Sequence, residues 1–192
     1  MAADPAKIIF LNGASSSGKS SIARVLQTRI EAPFWRFSFD HLRDAGGLPL
    51  ARLRSGEFDW AALRGNFFRG YEDALAAFAA SGNNLIIDYI LDTEARMRRV
   101  TALLHRFDVF FVGVHCDVGE LERRERLRGD RKIGSARHDE ETIHAFARYD
   151  LEIDTTRQAP EVSAEIVLAA WRARRRPAAF DLLARADGDE RG

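Results

Sequence analysis

A glycine- and serine-rich segment near the amino terminus has the composition of a loop that holds phosphate groups. It fits the spacing G-x-x-x-x-G-K-[ST] and reads Gly13, Ala14, Ser15, Ser16, Ser17, Gly18, Lys19 and Ser20. Glycines let the backbone turn so that successive N–H groups point at phosphate oxygens, and a following helix adds the positive end of its dipole. Lys19 is predicted to reach the β- and γ-phosphates of a nucleotide, and the Ser20 hydroxyl to hold Mg²⁺.

The neighbours of this segment favour the phosphate-binding interpretation over a chance match. An apolar run, residues 8–11, precedes it as a strand would, and residues 21–27 follow with helical spacing. We therefore predict a nucleoside triphosphate site at residues 13–20, with Ser21 as a further contact.

A second candidate group is the carboxylate of Asp40, which follows a predicted strand, residues 35–39. Ligands of an open α/β sheet bind at the carboxyl ends of its strands. A carboxylate there could accept the proton of an acceptor hydroxyl as that hydroxyl attacks the γ-phosphorus. Arg43 would help to keep Asp40 ionised. The alternative is that Asp40 only caps a helix starting at His41, because Asp is a favoured N-cap residue.

The third predicted strand, residues 84–87, is followed by Asp88 and Tyr89. Asp88 is predicted to take part in the Mg²⁺ site, although an Asp at the end of an apolar strand is also common in ordinary turns. Tyr89 stands where many ATP-driven machines have a glutamate that activates water. Phosphoryl transfer to an organic acceptor is therefore favoured over simple hydrolysis.

Charged residues dominate the segment from Glu120 to Lys132. The pairs Glu120/Arg124 and Glu122/Arg126 have the i,i+4 spacing of an exposed helix. Arg128 and Arg131 have no such partner by spacing. We predict that they belong to a lid that closes over the phosphates, with ordinary solvated charge as the alternative.

Histidine, cysteine and aromatic residues give weaker signals. The five histidines show no metal-ligand spacing with the carboxylates or with the single cysteine, and we predict no metal site from them; they are His41, His105, His115, His138 and His144. Cys116 lies in an apolar run and is predicted to be buried. Most aromatic residues are predicted to lie in the core, and a wall for an aromatic or sugar-like acceptor is the alternative; they are Phe34, Trp35, Phe37, Phe39, Trp60, Phe67, Phe68 and Tyr71.

Length and charge narrow the class of protein. A chain of 192 residues suits a single domain. The formal net charge is zero, so no overall field attracts nucleic acid or an anionic membrane. The sequence has neither a signal-peptide pattern nor an apolar run long enough to span a membrane, so we expect a cytoplasmic protein. The oligomeric state is left open.

Five short apolar runs alternate with helical patterns, which predicts a parallel sheet with helices on both faces. The runs are residues 7–11, 35–39, 84–87, 109–115 and 149–153. Helices are predicted at residues 59–80, 93–105, 118–127, 139–147 and 160–174. In the longest, a core-facing stripe is predicted at Trp60, Leu63, Phe67, Tyr71, Leu75 and Phe78. We expect one domain over residues 1–176, with a lid at about 124–138. Residues 177–192 are predicted to form a partly disordered tail, in which Phe180 and its neighbours dock as one short helix.

With these residues placed, the chain resembles the chloramphenicol phosphotransferase-like family of small P-loop kinases. The matching stretches are residues 8–20, 39–40, 48–49, 85–88, 112–117, 123–131 and 149–156. The segments V-G-V-x-C-D and R-G-D-R are more specific than the phosphate loop. The resemblance implies a three-layer αβα sandwich with a five-stranded parallel sheet and a helical lid.

The same resemblance implies a function. It implies ATP and Mg²⁺ as cofactors, a small hydroxylated acceptor, a base at Asp40 and a lid that contains Arg128 or Arg131. Arg124 and Arg157 are assigned to the nucleotide, the latter in a turn near the adenine. The acceptor stays open between an antibiotic such as chloramphenicol and a nucleotide sugar or nucleoside. The spacing D-x-x-R from Asp40 to Arg43 is similar to that of adenylylsulfate kinases and zeta-type toxins. A regulatory guanine-nucleotide module is disfavoured because no N-K-x-D segment occurs.

Overall fold

Five parallel strands form one sheet in the order β2-β3-β1-β4-β5 in a computed structural model that describes residues 5–128 and 135–189. The strands are β1 (Lys7–Asn12), β2 (Trp35–Ser38), β3 (Leu85–Tyr89), β4 (Asp108–His115) and β5 (Leu151–Asp154). The helices in the described ranges are α1 (Lys19–Arg29), α2 (Phe39–Asp44), α3 (Leu50–Arg54), α4 (Trp60–Ala80), α5 (Glu94–Leu104), α6 (Val118–Arg128), α7 (Ser135–Thr142), α8 (Pro160–Ala173) and α9 (Ala179–Asp189). The predicted sheet is confirmed, and each strand end lies within two residues of its predicted position.

The alternation of side chains along the central strand creates the three layers. Ile8 and Phe10 enter a core beneath α4, α5 and α9, whereas Ile9 and Leu11 enter the opposite core beneath α1 and α8. Both faces of β1 are therefore dry, as expected for a parallel sheet covered on two sides. The αβα sandwich is confirmed. No helix in the described ranges is both long enough and apolar enough to cross a bilayer.

The register of the strands places the candidate functional residues at their carboxyl ends side by side. Asn12 of β1 lies opposite Tyr89 of β3, and Ser38 of β2 lies opposite Asp88 of β3. Since all strands run the same way, the loops that follow them emerge at one edge of the sheet.

Part of the predicted core stripe of α4 is wrong. Tyr71 and Leu75 are buried, but Leu63 and Phe78 are almost half exposed. Residues 61–66 of α4 are exposed, and the helix packs on the core through Phe67 and Phe68 rather than through Leu63. Trp35, predicted to be in the core, is 56 % exposed because β2 is an edge strand.

Two helices also differ from their predicted positions. Helix α3 was not predicted, since its five residues are too few to show a period. Helix α7 covers Ser135–Thr142 rather than residues 139–147. The chain turns after Thr142 while Ile143 stays buried, so the apolar position belongs to a turn.

The carboxyl-terminal segment packs on the sheet. Residues 177–192 were expected to be partly disordered, but helix α9 runs from Ala179 to Asp189 within them. Phe180 in this helix is 1 % exposed. Its ring lies 5.8 Å from that of Phe10 and 5.0 Å from that of Phe111. The segment after residue 176 thus contributes to the central core.

Phe180→Ala tests this contribution. We expect the free energy of unfolding to fall by about 3–5 kcal/mol, because the substitution empties a site between two core rings. Urea denaturation monitored by circular dichroism measures the loss. Val162→Ala, on the exposed side of α8, should change the free energy by less than about 0.5 kcal/mol. A similar loss in both variants would show that α9 does not specifically support the core.

Candidate functional site

A cleft of about 960 Å³ opens at the carboxyl edge of the sheet. Residues to which the sequence analysis gives a role line it together, among them Lys19, Ser20, Asp40, Asp88 and Arg124. These five belong to α1, α2, β3 and α6, and the parallel topology alone brings them to one place.

The loop between β1 and α1 has a backbone that requires glycine at both ends. A Cβ at Gly13 would lie 2.4 Å from the carbonyl oxygen of Val114, a distance too short for any side chain. Gly18 has a φ of +97° and precedes the first turn of α1. Between them, the hydroxyl oxygens of Ser16 and Ser17 are buried without a hydrogen-bond partner among the described residues. Buried polar atoms of this kind are expected where a polar ligand binds.

Lys19, Ser20 and Asp88 form a compact group at the floor of the cleft. The Lys19 ammonium donates to the carbonyl oxygens of Gly13 and Ala14, each at 2.7 Å, and lies 4.0 Å from the Asp88 carboxylate. The Ser20 hydroxyl donates to the other Asp88 oxygen. Hydroxyl and carboxylate oxygens are the hard donors that Mg²⁺ prefers, so the pair fits a magnesium site.

Asp40 is not the N-cap of α2. The helix begins at Phe39, and Ser38 takes the capping position, its hydroxyl accepting from the Asp40 backbone N–H at 3.3 Å. The capping alternative is therefore wrong, because the helix begins one residue before Asp40 and its N-cap is Ser38. The Asp40 carboxylate instead lies 3.1 Å from Arg43, in the predicted pairing, and is about one-fifth exposed in the cleft.

Aromatic rings form one wall of the cleft beyond Asp40. Phe39 packs against Phe68 with ring centroids 5.2 Å apart, and Phe68 lies 6.1 Å from Tyr89. Arg64 and Arg96 both lie over the Phe68 ring, at 5.6 and 4.8 Å. This wall, which we call the aromatic wall (Phe39, Phe68 and Tyr89), combines apolar faces with two cations at its rim.

The Tyr89 hydroxyl is directed away from proton-transfer chemistry. It donates to the buried Glu72 carboxylate at 3.0 Å, and Glu72 also pairs with Arg96 and Arg99. Burial is the main cause that raises the pKa of Tyr89 far above its usual value. The hydroxyl thus stays protonated and cannot activate water.

The predicted nucleotide contacts Arg124 and Arg157 have different surroundings. Arg124 pairs with Glu120, as predicted, and donates to the Thr155 carbonyl at 2.7 Å and to the Ser16 carbonyl at 3.4 Å. It thereby joins α6, the end of β5 and the phosphate loop. Arg157 is exposed in the turn after β5 and does not line the cleft.

The predicted lid is described only in part. Arg128 is the last residue of α6, and its side chain and all of Arg131 lie outside the described residues. Glu122 pairs with Arg137 of α7 at 2.8 Å rather than with Arg126 as predicted, so α6 and α7 are joined.

A carboxylate that the sequence analysis did not identify contacts the phosphate loop from α7. Asp139 of α7 accepts a hydrogen bond from the Ser15 backbone N–H at 3.2 Å. That N–H is one of the groups predicted to bind phosphate. The Asp139 carboxylate therefore occupies a donor that a bound phosphate oxygen would need. The two residues are 124 positions apart, and spacing carries no signal over such a distance.

The spacing of the histidines along the chain gave no sign of the group that two of them form with a carboxylate in the fold. His115 at the end of β4, Glu140 of α7 and His144 present ligand atoms that all lie within 4.8 Å of one another. The fold, not local spacing, creates this group. His41 lines the cleft next to Asp40, and Cys116 is buried as predicted.

Comparison with known proteins agrees with this architecture. Residues 6–172 match the sequence profile of the chloramphenicol phosphotransferase-like family. A Mycobacterium tuberculosis protein with the provisional name O-phosphotransferase is 30% identical over 92% of this chain and 87% of its own length.

Solved kinases share the fold at low sequence identity. The APS kinase of M. tuberculosis, solved with AMPPNP and APS, has a TM-score of 0.63 at 20% identity and covers 88% of this chain and 99% of its own. Shikimate kinase from Aquifex aeolicus has a TM-score of 0.56 at 14% identity, with 86% and 96% covered.

Asp139→Ala should tighten nucleotide binding. Removing the carboxylate frees the Ser15 N–H and eliminates a competing negative charge, and one such hydrogen bond corresponds to roughly 2- to 10-fold in affinity. Titration calorimetry with a non-hydrolysable ATP analogue and Mg²⁺ measures the change. Glu122→Ala, which loosens α7 from α6 but leaves Ser15 bonded, is the control. Unchanged or weaker binding by Asp139→Ala, with the control like wild type, would contradict the interpretation.

Proposed function

The chain belongs to the chloramphenicol phosphotransferase-like family, and from that premise we propose that it transfers the γ-phosphate of ATP to a hydroxyl of a small molecule. The observation that carries this proposal is the position of Asp40. Its carboxylate lines the same cleft as Lys19, Ser20 and Asp88 and is not used for helix capping.

The phosphate loop forms the donor half of the proposed site. Its backbone N–H groups and Lys19 bind the phosphates, for which the lysine must exchange its contacts with Gly13 and Ala14 for phosphate oxygens. Ser20 and Asp88 hold Mg²⁺, which when bound neutralises phosphate charge. Arg124 supports the loop from outside through Ser16 and Thr155.

Asp40 begins the acceptor half. It takes the proton of the acceptor hydroxyl as that oxygen bonds to the γ-phosphorus and the bond from phosphorus to the ADP oxygen breaks. Arg43, at 3.1 Å, places a positive charge beside this carboxylate. Arg128 and Arg131 are proposed to neutralise charge on the transferring group, and Arg157 to lie near the adenine.

Tyr89 supports transfer rather than hydrolysis. Its hydroxyl is bonded to Glu72, so the strand end that follows Asp88 offers no base for water. We expect ATP turnover without an acceptor to be slow.

The aromatic wall indicates the acceptor class. Phe39, Phe68 and Tyr89 suit a molecule with a planar or apolar part, and an antibiotic such as chloramphenicol is the first candidate. Arg64 and Arg96 at the rim favour a second candidate, an acceptor that carries negative charge, such as a nucleotide sugar.

An acceptor panel tests the proposed function. The chain, ATP and Mg²⁺ are incubated with hydroxylated antibiotics, nucleosides and nucleotide sugars, and products are examined by mass spectrometry. A gain of one phosphoryl group on a panel member is expected. Rapid ATP hydrolysis with no phosphorylated acceptor would contradict the proposal.

Asp40→Asn is expected to lower phosphorylation of the identified acceptor by ~10²-fold or more, because the amide cannot accept the proton. Binding of an ATP analogue should remain nearly unchanged. Asp44→Asn is the matched control, since Asp44 also pairs with Arg43, at 2.7 Å, yet has no assigned part in proton transfer. Equal losses in both variants would assign the effect to the arginine and remove Asp40 as base.

A further inference from the structure

Two histidines and one glutamate meet beside the phosphate loop, outside the residues assigned to phosphoryl transfer. His115 Nδ1 and His144 Nε2 each lie 3.6 Å from the same oxygen, Oε1 of Glu140. The two imidazole rings are stacked with centroids 3.9 Å apart. Ligand atoms around a tetrahedral zinc ion with bonds of about 2.0–2.1 Å are separated by a little over 3 Å, so small side-chain shifts would place all three on one ion.

The outer nitrogen of each histidine already has the partner that a metal ligand needs. His115 Nε2 is 2.7 Å from a Glu152 carboxylate oxygen, and His144 Nδ1 is 2.7 Å from the Tyr149 hydroxyl. The hydrogen bonds at the outer nitrogens fix both ring orientations. The Glu152 carboxylate can only accept, so Nε2 of His115 is the donor and Nδ1 of the neutral ring presents a lone pair. The Tyr149 hydroxyl is itself held by the Asn12 side chain at 2.8 Å.

The inner atoms, by contrast, are not satisfied. His144 Nε2 and Glu140 Oε2 are buried and have no hydrogen-bond partner among the described residues. A buried carboxylate oxygen and a buried imidazole nitrogen that lack hydrogen-bond partners, beside a second imidazole, form a polar site that can receive a cation.

We propose that His115, Glu140 and His144 bind a divalent transition-metal ion of the zinc class. Two imidazoles and one carboxylate suit zinc and its neighbours, whereas Mg²⁺ prefers oxygen ligands throughout. Three protein ligands leave one tetrahedral position for water or for the second Glu140 oxygen. The site is separate from the oxygen pair Ser20 and Asp88.

Metal binding would act on the phosphate loop through α7. Glu140 is adjacent to Asp139, whose carboxylate accepts from the Ser15 N–H. The Asn12 side-chain amide also donates, at 3.5 Å, to the carbonyl oxygen of Ile143, a residue that lies between Glu140 and His144 in the sequence. An ion that joins His115 at the end of β4 to Glu140 of α7 therefore also holds Asp139 against the Ser15 N–H.

Zinc titration of the untagged full chain tests the proposal without nucleotide or acceptor, so its result is independent of the proposed phosphotransfer. After removal of metal by a chelator, calorimetry with ZnCl₂ is expected to show saturation at about one ion per chain. His144→Asn and Glu140→Gln should each weaken binding by ~10²-fold or more, since a ligand is lost. With Co²⁺ as the probe, intense visible absorption of a tetrahedral ion is expected and should be absent in both variants.

Two further variants separate a built site from incidental binding. Glu152→Gln changes an exposed residue that is not a ligand but orients His115, and it should weaken zinc binding by roughly 10- to 100-fold. His105→Asn, an exposed histidine at the other end of β4, should bind like wild type. Circular dichroism checks that each variant folds. Absence of saturable binding, or equal affinity in wild type, His144→Asn and Glu152→Gln, would overturn the proposal.

Discussion

The close packing of the phosphate loop against the end of β4 is the constraint on which the rest of the site depends. The backbone at Gly13 approaches the Val114 carbonyl so closely that no side chain fits between them. This contact fixes the start of the loop relative to the sheet, and the left-handed turn at Gly18 then directs the chain into α1. Lys19 and Ser20 follow at once, so their distances from Asp88 on the neighbouring strand are set by backbone packing rather than by side-chain choice.

Charge in the cleft is balanced locally. Asp88 lies beside Lys19, and Asp40 beside Arg43, so the two carboxylates that the proposed chemistry needs each have a cation within 4.0 Å. Asp139 is a third carboxylate, and it satisfies a loop amide that would otherwise require an anion. Each of these three carboxylates therefore already has a cation or a hydrogen-bond donor beside it among the described residues.

The sequence predicted features that depend on short-range order. The strand and helix periods and the G-x-x-x-x-G-K-S spacing locate the sheet, its carboxyl edge and the group around Lys19, because each is written in a few consecutive residues. Features that depend on tertiary contacts were missed. Ser38 competes with Asp40 for the cap, and Asp139 reaches the loop across 124 positions. His115 ends β4 and His144 lies in the turn after α7, so the two meet only in the folded chain. Leu63 fits a core period yet is almost half exposed, since periodicity describes a helix face but not what covers it.

The exposure of the first half of α4, including Leu63, affects which substitutions the chain can accept during evolution. The donor half rests on the two dry cores of the sheet, where most substitutions cost stability. The first half of α4 and the short α3 before it are mostly exposed. This half of α4 carries Arg64 and Phe68 at the cleft and meets the core only at its margin, through the half-buried Phe67 and Phe68. Substitutions there are cheap in folding energy. Under the proposed function, substitutions in this part of the chain can change the preferred acceptor while the residues of the phosphate loop stay the same. Specificity can thus vary without a change of fold.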